Sequence, residues 1–298
     1  MTDQRPISGT IAAAATPLRD SGQSLDEDAF EPLLEFYGAS GIEGVLVLGT
    51  TGEGILLTDT ERRRAAERAI ENAGVLRVIV HCGAQTTADT TALAAHAART
   101  GADGVAVIAP PYFPLGEREL FEHFAAAASA CFPLPFYVYE FADRSGYSVP
   151  VGVVTELRQR ASNLVGMKVS DAPFKRAEPY LRTGLDVFIG AESVLLEGLA
   201  NGAVGAVSGV AGAFPELVAA LVRDPTPERS DLVTSLRAVL AKHSVQPAVK
   251  AALGFRGVPM SRDVRAPLRP LTTAAADQLR SDLEGLLGVD ALAHAAEA

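Results

Sequence analysis

The chain is poor in lysine and cysteine, and it has neither a cluster of basic residues nor a long uninterrupted apolar run. Cys82 and Cys131 are the only cysteines, and neither belongs to a CxxC or Cys/His spacing. Both sit in or beside apolar segments, so they read as buried thiols in a reducing cytoplasm, and a disulfide framework and a zinc site are excluded. The five histidines, His81, His96, His123, His243 and His294, form no ligand cluster, and no metal or other cofactor is expected. With 26 basic against 36 acidic side chains and a net charge of −10, the chain offers no basic track for a phosphate backbone, which excludes nucleic acid as a partner. The most weakly charged stretch, 202–222, is broken by Gly205, Gly209, Gly212 and Pro215 and carries Glu216, so it suits a strand, a loop and a helix start and not a membrane span. The opening Met-Thr-Asp-Gln-Arg-Pro lacks the apolar core of a signal peptide. A cytoplasmic protein is expected.

What is present in quantity is hydrophobic: 48% of 298 residues, enough for a large core. Short β-like runs alternate with helical patterns. Strands are predicted at 10–15, 44–48, 77–82, 104–108, 136–139, 164–168, 186–189 and 203–208. They are apolar throughout instead of alternating, as strands are when both faces are covered. Capping boxes are predicted at Ser24-x-x-Glu27, before a helix over 26–39, and at Thr58-x-x-Glu61, before a helix over 59–73. Eight βα units predict a (β/α)8 barrel. A doubly wound sheet competes, but Ala15-Thr16-Pro17-Leu18 after the first strand is no glycine-rich phosphate turn. Beyond residue 224 the strand signal ends and helical patterns follow near 227–242, 246–254 and 272–287. The expected division is a barrel with the active site over 1–223 and a helical extension over 224–298. The alanine-rich stretch 291–298 has no clear anchor and is expected to fray.

Lysine occurs only four times, at 168, 175, 242 and 250, against 22 arginines. Lys168 ends the apolar run Asn163-Leu-Val-Gly-Met-Lys, at a predicted strand end. A lysine buried without a fixed partner loses its preference for the ammonium form and becomes a nucleophile toward carbonyl carbon. A snorkelling lysine at a strand end is the competing reading. In a barrel, function gathers where the strands end. The second strand is followed by Gly49-Thr50-Thr51-Gly52-Glu53-Gly54, whose amides and hydroxyls can grip a carboxylate. The fourth is followed by Pro110-Pro111-Tyr112-Phe113-Pro114, and the fifth by Tyr139 through Gly146, which includes Arg144. Ser170 follows Lys168, and Glu192 follows the seventh strand. Val207 belongs to the eighth.

Three of these segments resemble, in matched order, the dihydrodipicolinate synthase and N-acetylneuraminate lyase family of class I pyruvate aldolases. Gly49-Thr50-Thr51-Gly52-Glu53 is similar to its GxTGE loop, Tyr139 to Gly146 to its Y-x-x-P-x-R-[ST]-G segment, and Gly166-Met167-Lys168 to its G-x-K strand. The resemblance covers roughly residues 8–285. It implies a barrel with a helical extension, usually assembled as a homotetramer, a dimer of dimers. By the same resemblance Lys168 forms an imine with pyruvate, Tyr139 shuttles protons, Thr51 links Tyr139 into a hydroxyl relay, and Tyr112 enters from a neighbouring subunit. Gly49, Thr50, Thr51 and Val207 would line the 2-oxo acid site, and Arg144, Ser170 and Glu192 the site of the second substrate. The chain departs from the pattern at Ala142, where the motif has proline, and at Val169-Ser170-Asp171, where family synthases carry an acidic residue and then Ala-Thr-Gly. The expected activity joins or splits pyruvate and an aldehyde through a 2-keto-3-deoxy sugar acid. The alternatives are 4-hydroxy-tetrahydrodipicolinate synthase acting on aspartate semialdehyde, a related 2-oxo acid dehydratase, and a non-catalytic 2-oxo acid sensor.

Overall fold

A computed structural model describes residues 7–289 and 292. Eight parallel strands form a closed barrel: Gly9–Ala13, Gly44–Val47, Arg77–His81, Gly104–Ile108, Phe136–Glu140, Leu164–Val169, Asp186–Ile189 and Gly205–Ser208. Each pairs with the next, and the first closes on the last through Gly9↔Gly205 to Ala12↔Ser208. This is the (β/α)8 architecture that the alternating pattern predicted, with strand ends within one or two residues. The reason lies in the two faces of the ring. Ile11, Leu46, Ile79, Ala106, Tyr137, Phe188 and Val207 fill its interior, while the outward-facing side chains of the same strands join a second core under the helices. No strand has a wet face, so no alternation marks its sequence.

The two predicted helix starts fare differently. At Thr58 the capping box forms in full: the Glu61 amide donates to the Thr58 hydroxyl, and the Thr58 amide donates to the Glu61 carboxylate at 2.9 Å. At Ser24 it does not. Ser24 lies in a two-stranded ribbon with Leu18–Arg19, and Asp26 stands at the start of a 3-10 turn, Glu27–Ala29, that leads into the helix Phe30–Ala39. The Glu27 carboxylate turns instead to Arg64, 2.6 Å away. A charged partner outcompeted the local amide.

After residue 224 the described chain contains the helices Pro227–Ala241, Val245–Phe255 and Thr273–Leu287, close to the three helical patterns in the sequence. The predicted fraying of 291–298 concerns a stretch outside the described residues apart from Leu292. Among the described residues no helix is long and apolar enough to cross a membrane. Two buried cations of the tail fasten it to the barrel. One is Arg256, whose guanidinium donates to the Ala213 carbonyl, pairs with Glu216 at 3.0 Å, and lies over the rings of Phe36 and Phe214. The other is Lys250, whose Nζ meets Glu53 Oε1 at 2.7 Å with both side chains fully out of water. Lys250 also donates to the Asp263 carbonyl at 2.6 Å, and the Arg265 amide donates to Glu53 Oε2 at 2.6 Å.

Glu53 belongs to the loop after the second strand, so the tail reaches the carboxyl-terminal mouth of the barrel. Its backbone is left-handed, with φ of 57°, and the following Gly54 packs so tightly that a Cβ there would lie 1.9 Å from the Leu48 carbonyl oxygen. Burial pushes the Lys250 ammonium below its ordinary range, and the Glu53 charge pulls it back. Removing one member of such a pair leaves a naked buried charge, worth about 3–5 kcal/mol. Lys250→Met is therefore expected to lose about that much stability in denaturant titration, and the double variant Glu53→Gln/Lys250→Met is expected to recover part of it. A double variant no more stable than Lys250→Met would contradict the pairing.

Candidate active site

Lys168 and Tyr139 are brought together by strand register. The fifth and sixth strands run parallel with Tyr139 opposite Lys168, and both side chains point into the barrel because Val138, Met167 and Val169 point out into the helical layer. Lys168 is 7% exposed, Tyr139 is 1% exposed, and the amine lies 4.2 Å from the centre of the phenol ring. The amine is thus buried and held over an aromatic face, with no carboxylate paired to it among the described residues.

The Tyr139 hydroxyl lies 3.2 Å from the hydroxyl of Thr50. The neighbour of the phenol is therefore Thr50 and not Thr51, which corrects the relay expected from sequence. Adjacent residues of a loop diverge in direction, and a motif with two consecutive threonines does not say which one turns to the tyrosine. Thr51 is buried and lines the same cavity.

That cavity, of about 1010 Å³, opens at the carboxyl ends of the strands. Gly49, Thr50, Thr51, Tyr139, Arg144, Lys168, Ser170, Glu192 and Val207 all line it. Tyr112 does not. It is 82% exposed with φ of +87°, and its ring packs edge-on against Phe113, itself 69% exposed. Within one chain Tyr112 points to solvent.

Glu192 is committed more deeply than its sequence position suggested. Its Oε1 accepts hydrogen bonds from the Ser208 hydroxyl at 2.7 Å and the Val210 amide at 3.1 Å, while Oε2 stands 3.8 Å from Arg237 Nε. Only part of this carboxylate is free for a ligand. Arg144 lies at the exposed rim with its guanidinium 5.5 Å from the centre of the Phe141 ring, and Phe141 in turn packs on Tyr139. Gly190 gives Lys168 its room: a Cβ there would lie 2.1 Å from Ser170 Oγ and 3.1 Å from Lys168 Cε.

Sequence reasoning missed three groups here. His81 ends the third strand and meets Tyr139 edge-on at 5.8 Å, with its Nδ1 3.1 Å from the Leu48 carbonyl. Burial first, then the charges of Arg62 and Lys168, hold its pKa at about 3, so the imidazole is neutral and supports the tyrosine as a packing wall. Arg237 reaches the cavity from the tail helix Pro227–Ala241. Histidine at a strand end was a visible signal; nothing in a helical tail marked Arg237. The third is a pair of buried acids behind the site, Glu140 and Asp171, next in sequence to Tyr139 and Ser170. Glu140 accepts from the Val149 amide at 2.9 Å and Asp171 from the Ala142 amide at 3.2 Å, so together they fasten the loop that carries Arg144.

Burial, with the Asp171 carboxyl adding to it, raises Glu140 to about 8 against the opposing Val149 hydrogen bond. An acid whose folded pKa lies above its ordinary 4.5 holds its proton more tightly in the native state, so the folded form loses stability as pH climbs from 4.5 through about 8. His81 and His123, held at about 3 and about 4, act in the opposite sense, but their contribution flattens as pH rises past the ordinary histidine value of 6.5. Between pH 6.5 and 8 the fall in denaturation midpoint is expected to follow Glu140 and to flatten in Glu140→Gln. A wild-type midpoint that is level across this window would refute the assignment.

The family model described as the dihydrodipicolinate synthetase family matches residues 6–286. An uncharacterised DapA-like lyase of Halobacterium salinarum is 34% identical, the match covering 95% of each chain. A 4-hydroxy-tetrahydrodipicolinate synthase of Syntrophus aciditrophicus is 30% identical over 94% of this chain and 99% of its own. Among solved structures, dihydrodipicolinate synthase from Aquifex aeolicus superposes with a TM-score of 0.86 at 29% identity, covering 94% of this chain and 98% of that one. Proteus mirabilis N-acetylneuraminate lyase gives 0.86 at 30% identity, covering 95% and 99%. A buried lysine beside a phenol at the mouth of a (β/α)8 barrel, matched along nearly its whole length, places this chain in the dihydrodipicolinate synthetase family of class I lyases and aldolases.

Proposed function

We propose that the enzyme forms an imine between Lys168 and pyruvate and uses it to join pyruvate to an aldehyde, or to split the joined product, with a 2-keto-3-deoxy sugar acid on the joined side. One observation carries the reading: a buried amine 4.2 Å over the ring of a tyrosine whose hydroxyl is in reach of Thr50. In this scheme the amine attacks the ketone carbon, Tyr139 gives a proton to the leaving water, and the protonated imine withdraws electrons so that the methyl carbon passes a proton back to the Tyr139 oxygen and becomes an enamine. The enamine carbon bonds to the aldehyde carbon, whose oxygen takes a proton from Tyr139. Water then releases the product from Lys168. Thr50 orients the phenol for these transfers. The amides and hydroxyls of Gly49, Thr50 and Thr51, beside Val207, take the oxo acid carboxylate. Tyr112, exposed on one chain, would complete the site of a neighbouring subunit in a homotetramer built as a dimer of dimers. The reaction would run in the cytoplasm.

Ser170, Arg144 and the free side of Glu192 would receive the second substrate. Of these only Glu192 is buried, and a buried group built to bind a hydroxyl penalises a partner that leaves it unpaired by about 1–3 kcal/mol. That favours a hydroxylated aldehyde. The second reading is 4-hydroxy-tetrahydrodipicolinate synthase, favoured by the bonds that already occupy Glu192 Oε1 and by the synthases among the relatives.

Borohydride added with pyruvate is expected to leave one reduced pyruvyl adduct, on Lys168, and to abolish activity. Tyr139→Phe is expected to keep trapping pyruvate while losing on the order of 10²–10⁴ in turnover, and Thr50→Val to lose more turnover than Thr51→Val. Label on another lysine, or full turnover by Lys168→Ala, would end the imine mechanism.

The substrate ranking comes from kcat/KM with pyruvate and either aspartate semialdehyde, glyceraldehyde, erythrose or N-acetylmannosamine. Hydroxylated aldehydes are expected to lead, with the lead shrinking in Ser170→Ala. A tenfold advantage for aspartate semialdehyde that Ser170→Ala leaves untouched would hand the assignment to the synthase.

A further inference from the structure

His81 is a buried titratable group at the mouth of the barrel that the imine chemistry leaves unused. It ends the third strand, is 6% exposed and lines the cavity. Its own carbonyl accepts from Nη2 of the buried Arg62 at 2.9 Å, so the residue is anchored from the helix Asp59–Glu71 behind it. The ring carries a cost. Its Nε2 is buried and, among the described residues, has no hydrogen-bond partner. That atom stands where Gly83 leaves room, since a Cβ there would lie 2.8 Å from it. For filling space alone, phenylalanine or leucine would serve without an orphaned nitrogen. What a histidine adds lies on the other side of the ring.

There Nδ1 lies 3.1 Å from the Leu48 carbonyl oxygen. A carbonyl only accepts, so Nδ1 carries the proton and Nε2 is the bare nitrogen. Burial and the charges of Arg62 and Lys168 keep the ring from taking a second proton. Leu48 is no ordinary acceptor. Its backbone is left-handed, with φ of +62°, a conformation that a residue with a Cβ resists. It leads directly into Gly49 and Thr50, and the same loop returns to pack Gly54 against its carbonyl. The direction of the Leu48 peptide therefore sets where Thr50 starts. The ring's other contact is Tyr139, met edge to face with the ring centres 5.8 Å apart and the planes at 85°. One imidazole thus touches the backbone before Thr50 and the ring of Tyr139, the two sides of the 3.2 Å approach between their hydroxyls.

We propose that His81 is a positioning residue for proton transfer: its Nδ1–H holds the Leu48 carbonyl in the left-handed turn that delivers Thr50, and its ring backs the phenol, so that the Thr50 and Tyr139 hydroxyls stay in hydrogen-bond reach while protons move at Tyr139. The assignment rests on the imine reading above, with Tyr139 as the proton carrier, and adds a residue to it. In this role His81 passes no proton and touches no substrate. What matters is a donor at the place of Nδ1, and a side chain that donates from the same place replaces it.

The step to measure is the exchange of pyruvate methyl hydrogens for solvent deuterium, which needs the imine and Tyr139 but no aldehyde. Three variants separate the ring from its donor. His81→Phe keeps an aromatic ring and loses the donor, His81→Asn places an amide N–H where Nδ1 stands, and His81→Gln places one where Nε2 stands. In His81→Phe the exchange rate is expected to fall on the order of 10- to 100-fold, while the pyruvate concentration for half-maximal borohydride trapping stays within about twofold of wild type. His81→Asn is expected to exchange about tenfold faster than His81→Gln. Equal losses in these two would show that the donor has no role and overturn the assignment, as would wild-type exchange in His81→Phe. A rise in the trapping concentration that matches the lost exchange would overturn it too, by moving His81 to binding of the oxo acid. If His81→Phe does not fold, the comparison of His81→Asn with His81→Gln decides alone. Wild type that traps no pyruvate, or Tyr139→Phe that exchanges at the wild-type rate, removes the underlying reading and this assignment with it; a wild type that traps and exchanges, with no gap between His81→Asn and His81→Gln, removes the His81 assignment alone.

Discussion

One ion pair sealed from water, between Glu53 and Lys250, joins the two halves of the chain at the place where the site is built. Glu53 terminates the loop that carries Thr50 and Thr51, and Lys250 comes from the helical tail. A buried pair repays its desolvation only when geometry and further hydrogen bonds are right. Here the Asp263 carbonyl and the Arg265 amide supply them. The loop therefore cannot relax without exposing a bare charge in the interior. Gln246, four residues before Lys250, donates to the Thr50 carbonyl at 3.1 Å and adds a second tie to the same loop. The position of Thr50 beside Tyr139 follows from these bonds as much as from the strand that precedes it.

Two buried lysines show how environment sets chemistry. Lys250 has a carboxylate at 2.7 Å and is structural. Lys168 has an aromatic face at 4.2 Å and, among the described residues, no carboxylate partner, and it faces the cavity where the proposed imine would form. The apolar setting is similar in both. What separates the roles is the counter-charge.

The mouth of the barrel also concentrates polar groups that a core would not tolerate. Glu140 and Asp171 sit behind the loop that carries Arg144, Glu192 is tied to Ser208, and His81 is kept neutral against Tyr139. Each one positions a wall of the cavity instead of adding apolar contact. Stability is supplied at the other end and around the ring, where Ile11, Leu46, Ile79, Tyr137 and Phe188 close the interior. Function and stability occupy opposite ends of the same strands.

Local pattern in the chain was enough to set the strand ranges, the helix start at Thr58, the three tail helices and the segments that ring the cavity, because those depend on neighbours a few residues apart. Doubly covered strands are apolar throughout, a capping box closes over four residues, and each motif lies directly after a strand. The partners that come from distant segments were decided by tertiary structure. Ser24 lost its capping role because Leu18–Arg19 pairs with its strand and Arg64 takes the Glu27 carboxylate. Thr50 and not Thr51 faces Tyr139 because the loop is fixed from outside by Glu53. Tyr112 is turned to solvent by its left-handed backbone. Lys250, Arg237 and half of the Glu192 carboxylate had no sequence signal, since a helical tail reads the same whether it meets water, a barrel wall or a cavity. Only the closed barrel brings that tail over its mouth, and there the dielectric and the nearest counter-charge determine what each side chain can do.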